Sequence, residues 1–190
     1  QSAMAAGERI FELLDEEPDI VDSEDAVDLP RIEGEVVFDG VGFAYEDEDV
    51  LSDIGFSVPA GSTIALVGPT GAGKTTIVSL LSRFYDPVAG TVTVDGHDLR
   101  AVKQKSLRRQ MGIVPQDSFI FSGSVRDNIA YGRPEATQQD IENAARTVDA
   151  HDFIARLPEG YETELREGGS RISVGQRQLV CFARAILADP

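Results

Sequence analysis

The run Gly68-Pro69-Thr70-Gly71-Ala72-Gly73-Lys74-Thr75 constrains this chain more than any other stretch. It fits the pattern G-x-x-x-x-G-K-S/T without departure. Its flanks fit as well. The apolar run Thr63 to Val67 precedes it and reads as a buried strand, and helical periodicity follows from about Lys74 to Phe84. A chance glycine-rich turn would not bring both flanks with it. Each position has a physical use. The glycines let the backbone wrap round a phosphate chain with N–H groups pointing inward, and the helix behind them adds its positive N-terminal end. Lys74 is a mobile point charge within reach of β- and γ-phosphates. The Thr75 hydroxyl is placed to ligate Mg²⁺, and Thr76 to touch the α-phosphate region. The loop predicts a nucleoside triphosphate site. It does not choose among kinases, GTPases, motors and transporters, which all share it.

Composition narrows the choice. At 190 residues the chain is expected to be one domain with a real core. No apolar stretch approaches the ~18 residues that span a bilayer, and no basic-then-apolar leader opens the chain. The formal net charge is −16, which argues against nucleic acid or an anionic membrane surface as direct partners. Lys74, Lys103 and Lys105 are the only lysines. Such an acidic, lysine-poor surface suits a salty cytoplasm, or simply an acidic protein with a charged linker. Cys181 is the only cysteine, so no internal disulfide forms, and its neighbours Val180, Phe182 and Ala183 mark it as a small core residue.

Along the chain, residues 3–14 read as a short amphipathic helix with Met4, Ile10, Phe11, Leu13 and Leu14 near one face. Asp15 to Arg31 is acidic, holds Pro18 and Pro30, and reads as an extended, solvated linker without chemistry of its own. Glu35 to Tyr45, Val50-Leu51 and Ile54 to Val58 suggest antiparallel strands. Thr91 to Val94 and Met111 to Val114 are further short strands. The remainder is mostly helical: Lys103 to Arg109, Ser124 to Ala130, Gln138 to Ala145, His151 to Leu157 and Gly175 to Leu187. These patterns predict an α/β domain with a β appendage.

The last helix opens on Arg171-Ile172-Ser173-Val174-Gly175-Gln176-Arg177-Gln178. This resembles the ABC signature motif, L-S-G-G-Q, with Ile172 in place of Leu and Val174 in place of the first Gly. Together with the phosphate loop it makes nearly the whole chain look like an ABC ATPase domain. Ser173, Gly175 and Gln176 are kept, and these would supply a hydroxyl, close backbone approach and helix-start N–H donors to a phosphate. A plain polar helix cap accounts for Ser173 equally well. Tyr45 falls where the family places an aromatic that stacks on adenine; its other reading is a strand residue packed on a neighbour. Gln116 matches the family's Q-loop glutamine, which touches Mg²⁺ and the attacking-water region; elsewhere a lone loop Gln is simply solvated. Thr163-Glu164-Leu165-Arg166-Glu167-Gly168-Gly169 is similar to the exporter-specific T-E-V-G-E-R-G loop. Phe119 to Ile129 and residues 1–14 resemble exporter segments too.

The resemblance implies a P-loop NTPase core of ABC type, with an N-terminal antiparallel β subdomain and a helical subdomain carrying the signature. Residues 1–31 would be a linker from a preceding transmembrane domain, and 32–190 an ABC domain incomplete at its C-terminus. ATP and Mg²⁺ would be bound by Tyr45, Gly68, Pro69, Thr70, Gly71, Ala72, Gly73, Lys74, Thr75, Thr76, Ser173, Gly175 and Gln176. Lys74 and Gln116 would be catalytic, and Thr75 and Gln116 would serve the metal. The implied partners are a second ABC domain, identical or a paralogue, arranged head to tail, and the transmembrane domain of the same transporter at the cytoplasmic face of the cell membrane. The family's Walker B Asp-Glu pair and switch histidine have no counterpart up to Pro190. His97 and His151 lie in neither context and read as surface residues. Hydrolysis by the 190 residues alone is therefore not expected, and an exposed sheet edge is. The competing expectations are a soluble ABC ATPase of DNA repair or translation type, and a regulatory module that binds nucleotide without hydrolysing it.

Overall fold

The computed structural model describes every residue except 1–6, 8, 12, 13, 47 and 170, together with the side chain of Glu167. Two units divide the chain, residues 1–107 and 108–190.

The first unit is built on an antiparallel sheet. Strand β1 (Val36–Tyr45) pairs with β2 (Glu48–Val58) on one side and β3 (Ala89–Val94) on the other, and β4 (His97–Asp98) extends the sheet from β3. The β1–β2 register runs from Val36 opposite Val58 to Tyr45 opposite Glu48, with irregularities between Phe38 and Val41 and again beyond it. The slip explains why Phe38 and Val41, three apart, are both buried; in a strand without a bulge they would face opposite sides. Phe38 stacks on Phe56 at 4.7 Å. Gly90, at φ 73, lies where a Cβ would strike the carbonyls of Asp39 and Gly40, so β3 closes on β1 only through glycine.

Helix α1 (Lys74–Leu81) follows the phosphate loop, and α2 (Gln104–Arg108) lies near the end of this unit. Two expectations are corrected. Thr63 to Val67 forms no strand. It pairs with no other strand among the described residues and is exposed, Val67 at 92%. In the second unit Met111 to Val114 likewise joins no sheet. Apolar composition states that a segment needs cover; it does not name the strand that supplies it.

The linker is also less free than its composition suggests. Arg83 is 2% exposed, and its guanidinium donates to Asp22 (3.2 Å), Asp86 (3.1 Å) and the Val102 carbonyl (2.7 Å). Val27 bridges Val102 in parallel, Leu29 is buried, and its N–H reaches Ser106 Oγ at 2.9 Å. A buried guanidinium is tolerated because charged and carbonyl partners replace its water, so residues 20–29 are tied to the fold. The Asp95 carboxylate accepts N–H groups from Glu33, Gly34 and Glu35 at 2.7 to 3.1 Å. Burial works to raise its pKa, but those three donors hold it below the usual value. Of the helix expected at 3–14, Gly7, Arg9 to Phe11 and Leu14 are helical, with Ile10, Phe11 and Leu14 exposed. Met4 and Leu13 lie outside the described residues.

The second unit is helical: α3 (Val125–Ala130), α4 (Gln138–Thr147), α5 (His151–Ala155) and α6 (Val174–Leu187), with a small pairing of β5 (Gly123–Ser124) and β6 (Glu164–Leu165). Three of the helices start on a capping box: Ser124 with Asp127, Thr137 with Asp140, and Ser173 with Gln176. Helical spacing puts Ile141, Ala144 and Ala145 of α4 in one core with Val180, Ala183 and Leu187 of α6, joined by Ile120, Ile129 and Ile154. Each large side chain buried here contributes about 1.5–3 kcal/mol. Cys181 is buried as expected. His151 is half-buried, its Nδ1 2.9 Å from Tyr161 Oη; burial pushes the Tyr161 hydroxyl up to about 12.

Candidate nucleotide-binding site

Within the first unit the loop from Gly68 to Gly73 delivers the chain to the start of α1. Gly73 is the N-cap, at φ 79 and ψ 7, with no side-chain cap and no acidic residue in the first turn of the helix. That conformation costs an L-residue about 1–2 kcal/mol. Space also demands glycine, since a Cβ on Gly73 would lie 2.5 Å from Leu51 Cδ2. Leu51, on β2, is thus the floor under the loop. Gly71 is left-handed too, at φ 85, with nothing near where its Cβ would be. The Ala72 N–H donates to Pro69 O at 3.2 Å, closing the loop on itself.

Lys74 Nζ donates to the carbonyls of Gly68 (2.8 Å) and Pro69 (2.7 Å), so the ammonium lies back over its own loop. Thr75 is exposed, its hydroxyl on the first turn of α1. Thr76 is 5% exposed, and its Oγ1 is 3.5 Å from Tyr45 Oη. Tyr45 stands at right angles to Phe43 (4.8 Å between centroids) and to Tyr85 (5.2 Å), and remains 39% exposed. Tyr45 thus packs on its neighbours, as one of its two readings expected, and keeps an open surface. Tyr85 and Leu51 complete this wall and escape a reading by sequence, because each meets its partner across more than twenty residues of chain.

The loop fits a phosphate chain with Mg²⁺. Its helix start is uncapped by any side chain, its glycines occupy positions where a Cβ is strained or excluded, and a cation and a hydroxyl stand at its mouth. Among the described residues no cluster of three or more His, Cys, Asp or Glu is arranged to hold a metal.

Within the second unit Gln116 is exposed in an irregular segment that runs into Phe119-Ile120-Phe121. Ser173 caps α6: its Oγ accepts from the Gln176 N–H (3.3 Å), while Gln176 Oε1 accepts from the Ser173 N–H (2.9 Å). The capping role weighed for Ser173 is thus realised. Ser173, Val174 and Gly175 are exposed, and nothing lies within 4 Å of a Cβ on Gly175, so the backbone at this helix start is approachable.

Known proteins give the same picture. The model of the ABC transporter family matches residues 51–190. An uncharacterized ABC transporter ATP-binding protein of Bacillus subtilis, YfiC, is 50% identical over 190 residues, which are all of this chain and 32% of that protein. An ATP-dependent lipid A-core flippase of Syntrophus aciditrophicus is 48% identical over 189 residues and 31% of its length. The chain spans about a third of these curated relatives. Among solved structures, that of a bacterial Atm1-family ABC exporter with ATP bound superposes with a TM-score of 0.93 at 43% identity, over all of this chain and 33% of that one. No helix among the described residues is long and apolar enough to cross a membrane. With its phosphate loop, antiparallel β subdomain and signature-bearing helical subdomain, the chain belongs to the ABC transporter family and has the fold of its ATP-binding domain.

Proposed function

We propose that this chain is the ATP-binding domain of an ABC exporter and that it drives transport by ATP hydrolysis in its parent protein. The observation that carries nucleotide binding is the left-handed, uncapped start of α1 at Gly73, with Lys74 and Thr75 at its mouth. The names of the relatives, a lipid A-core flippase and an Atm1-family exporter, support export over a soluble repair or translation role.

In this reading the backbone N–H groups of Gly68 to Gly73 and the α1 start hold the phosphates. Lys74 leaves its loop carbonyls to neutralise the β- and γ-oxygens. Thr75 would hold Mg²⁺, which would supply charge neutralisation at the phosphates. Tyr45 offers its open surface to the adenine. Gln116 orients the water that attacks the γ-phosphate. Positioning and electrostatics carry such a reaction, because phosphoryl transfer asks little covalent chemistry of the protein. Ser173, Gly175 and Gln176 belong to the opposite half of a sandwich. In a head-to-tail pair they close on the nucleotide held by the partner's phosphate loop. That partner is a second ABC domain, and residues 1–31 join the domain to its transmembrane half at the cytoplasmic face of the membrane. Nucleic acid is not a partner, consistent with the net charge of −16.

The group that polarises the attacking water and the remaining metal carboxylate come, in this reading, from residues outside 1–190, as does the strand that covers Thr63 to Val67. The experiment compares the full-length transporter with the 190-residue chain. The former turns over ATP in the presence of Mg²⁺ and the latter does not. Steady hydrolysis by the 190 residues alone would show that the catalytic set had been misread.

A further inference from the structure

The second unit holds a polar strap that the account above does not use. Gln116 is exposed, but the segment three residues on, Phe119 to Phe121, is gripped at four backbone groups. Arg184 Nη1 donates to the Phe119 carbonyl at 3.2 Å, and Cys181 Sγ approaches the same oxygen at 3.6 Å. The Gly168 N–H donates to the Ile120 carbonyl at 3.2 Å. Asn128, 1% exposed, accepts the Phe121 N–H on Oδ1 at 2.9 Å and returns Nδ2 to the Phe121 carbonyl at 3.0 Å and the Ser124 carbonyl at 3.0 Å. Arg184 then joins the two halves, with Nε on Asn128 O at 2.8 Å and Nη2 on Asn128 Oδ1 at 3.1 Å. Its guanidinium also lies 5.1 Å from the Phe121 ring centroid. Ile120 is fully buried between these anchors.

The origin of the anchors matters more than their number. Arg184 and Cys181 lie on α6, the helix whose first turn carries Gly175 and Gln176 and whose cap is Ser173. Gly168 lies in the loop just ahead of that cap. The segment leaving Gln116 is thus fastened to both ends of the signature element. Gln116 lies only three residues before Phe119, at most about 10 Å of extended chain, so a shift of the Phe119 anchor is passed along a short tether to Gln116. Burial works against the charge on Arg184, and a cation kept in such a place holds its geometry only while its acceptors stay put.

We propose that Arg184 and Asn128 are positioning residues for ATP hydrolysis, holding the Gln116 segment and the Ser173 helix start as one body so that Gln116 is in register when the signature closes. This rests on the hydrolytic reading above. Neither residue touches the nucleotide; both act through Gln116.

The test uses the full-length transporter, with Arg184→Lys and Asn128→Asp each made alone and on a Gln116→Ala background. Arg184→Lys keeps the charge and loses the three-way fork. Asn128→Asp keeps the acceptor for Phe121 and Arg184 and loses the two Nδ2 donors, so it carries the test if the arginine variant does not fold. Each single variant lowers kcat about 10- to 100-fold, the scale of a small misplacement of a reacting group, while KM for ATP stays within about twofold. On the Gln116→Ala background neither variant lowers kcat further, because the residue through which they act is gone. Losses that multiply with that of Gln116→Ala would overturn the proposal, as would a kcat unchanged in both single variants. A wild-type transporter no more active than its Lys74→Ala variant would sink the hydrolytic reading itself, and the inference with it.

Discussion

Helix α1 starts on a left-handed glycine that offers no side-chain cap, whereas α6 starts on Ser173, whose hydroxyl and backbone N–H are both matched by Gln176. Both helix starts are approachable, and under the proposed function both serve phosphate. The first is prepared by omission: the donors that a cap would satisfy are left for a ligand, and helix stability is given up to leave them so. The second is self-sufficient. Its polar groups already have partners, and a phosphate approaching Ser173 has to share or displace them. A site that must hold nucleotide by itself and one that closes only when a partner brings nucleotide are expected to differ in this way.

The sharpest attempt to break the comparison is Lys74→Ala. If the α1 start is the dedicated phosphate site, this change lowers ATP turnover by the full-length transporter by about 10²–10³-fold, as for removal of one preorganised electrostatic contact, with little change in melting temperature. Gly73→Ala comes next. It forces an L-residue into the left-handed region at about 1–2 kcal/mol and drives a Cβ into Leu51. Both nucleotide affinity, read by a fluorescent ATP analogue, and melting temperature should fall. An alanine variant that binds normally would remove the argument for glycine there.

Ser173→Ala reverses the pattern. Loss of the cap costs about 1 kcal/mol of stability, seen in thermal or urea denaturation, while nucleotide binding by the isolated phosphate site is unaffected. A drop in that affinity as large as that of Gly73→Ala would erase the distinction between the two helix starts. The smallest effect separates capped helices from one another. The box at α3 uses a carboxylate, Asp127, whose pKa the Ser124 hydroxyl and N–H hold below the usual 3.8. The box at α6 uses the neutral Gln176. A carboxylate depressed in the folded state stabilises above its unfolded pKa and loses that contribution as pH falls through the folded one. The stability gap between wild type and Asp127→Asn is therefore present at pH 7 and closes progressively below about pH 4, whereas that of Ser173→Ala is flat across the same range. A gap for Asp127→Asn that does not narrow at all as pH falls below about 4 would show that its carboxylate is not what the box uses.

What could be read from the sequence follows the range of each interaction. The phosphate loop and the helices expected from Ser124, Gln138 and Gly175 are local patterns within a few residues, and they stand within a residue of where the pattern placed them. The antiparallel pairing of β1 with β2 is nearly as local. The packing of the supposed linker was not legible, because Arg83 finds Asp22 61 residues away and the Val102 carbonyl 19 residues away. Nothing in an acidic, proline-bearing stretch announces a buried arginine elsewhere. The Tyr45–Tyr85 contact, and the grip of Arg184 on Phe119, 65 residues apart, are hidden for the same reason. Thr63 to Val67 failed in the opposite sense, since its apolar content was clear and its pairing was not.

The Lys74 ammonium is folded onto the Gly68 and Pro69 carbonyls at 2.8 and 2.7 Å, and under the proposed function this makes nucleotide entry an exchange rather than an addition. The loop carries its own internal competitor for the cation, so a triphosphate gains only the difference between two sets of charge-assisted contacts. A ligand too short to draw the lysine away would leave that competition undisturbed. Under the proposed function the residue would thereby grade nucleotides by how far their phosphates extend.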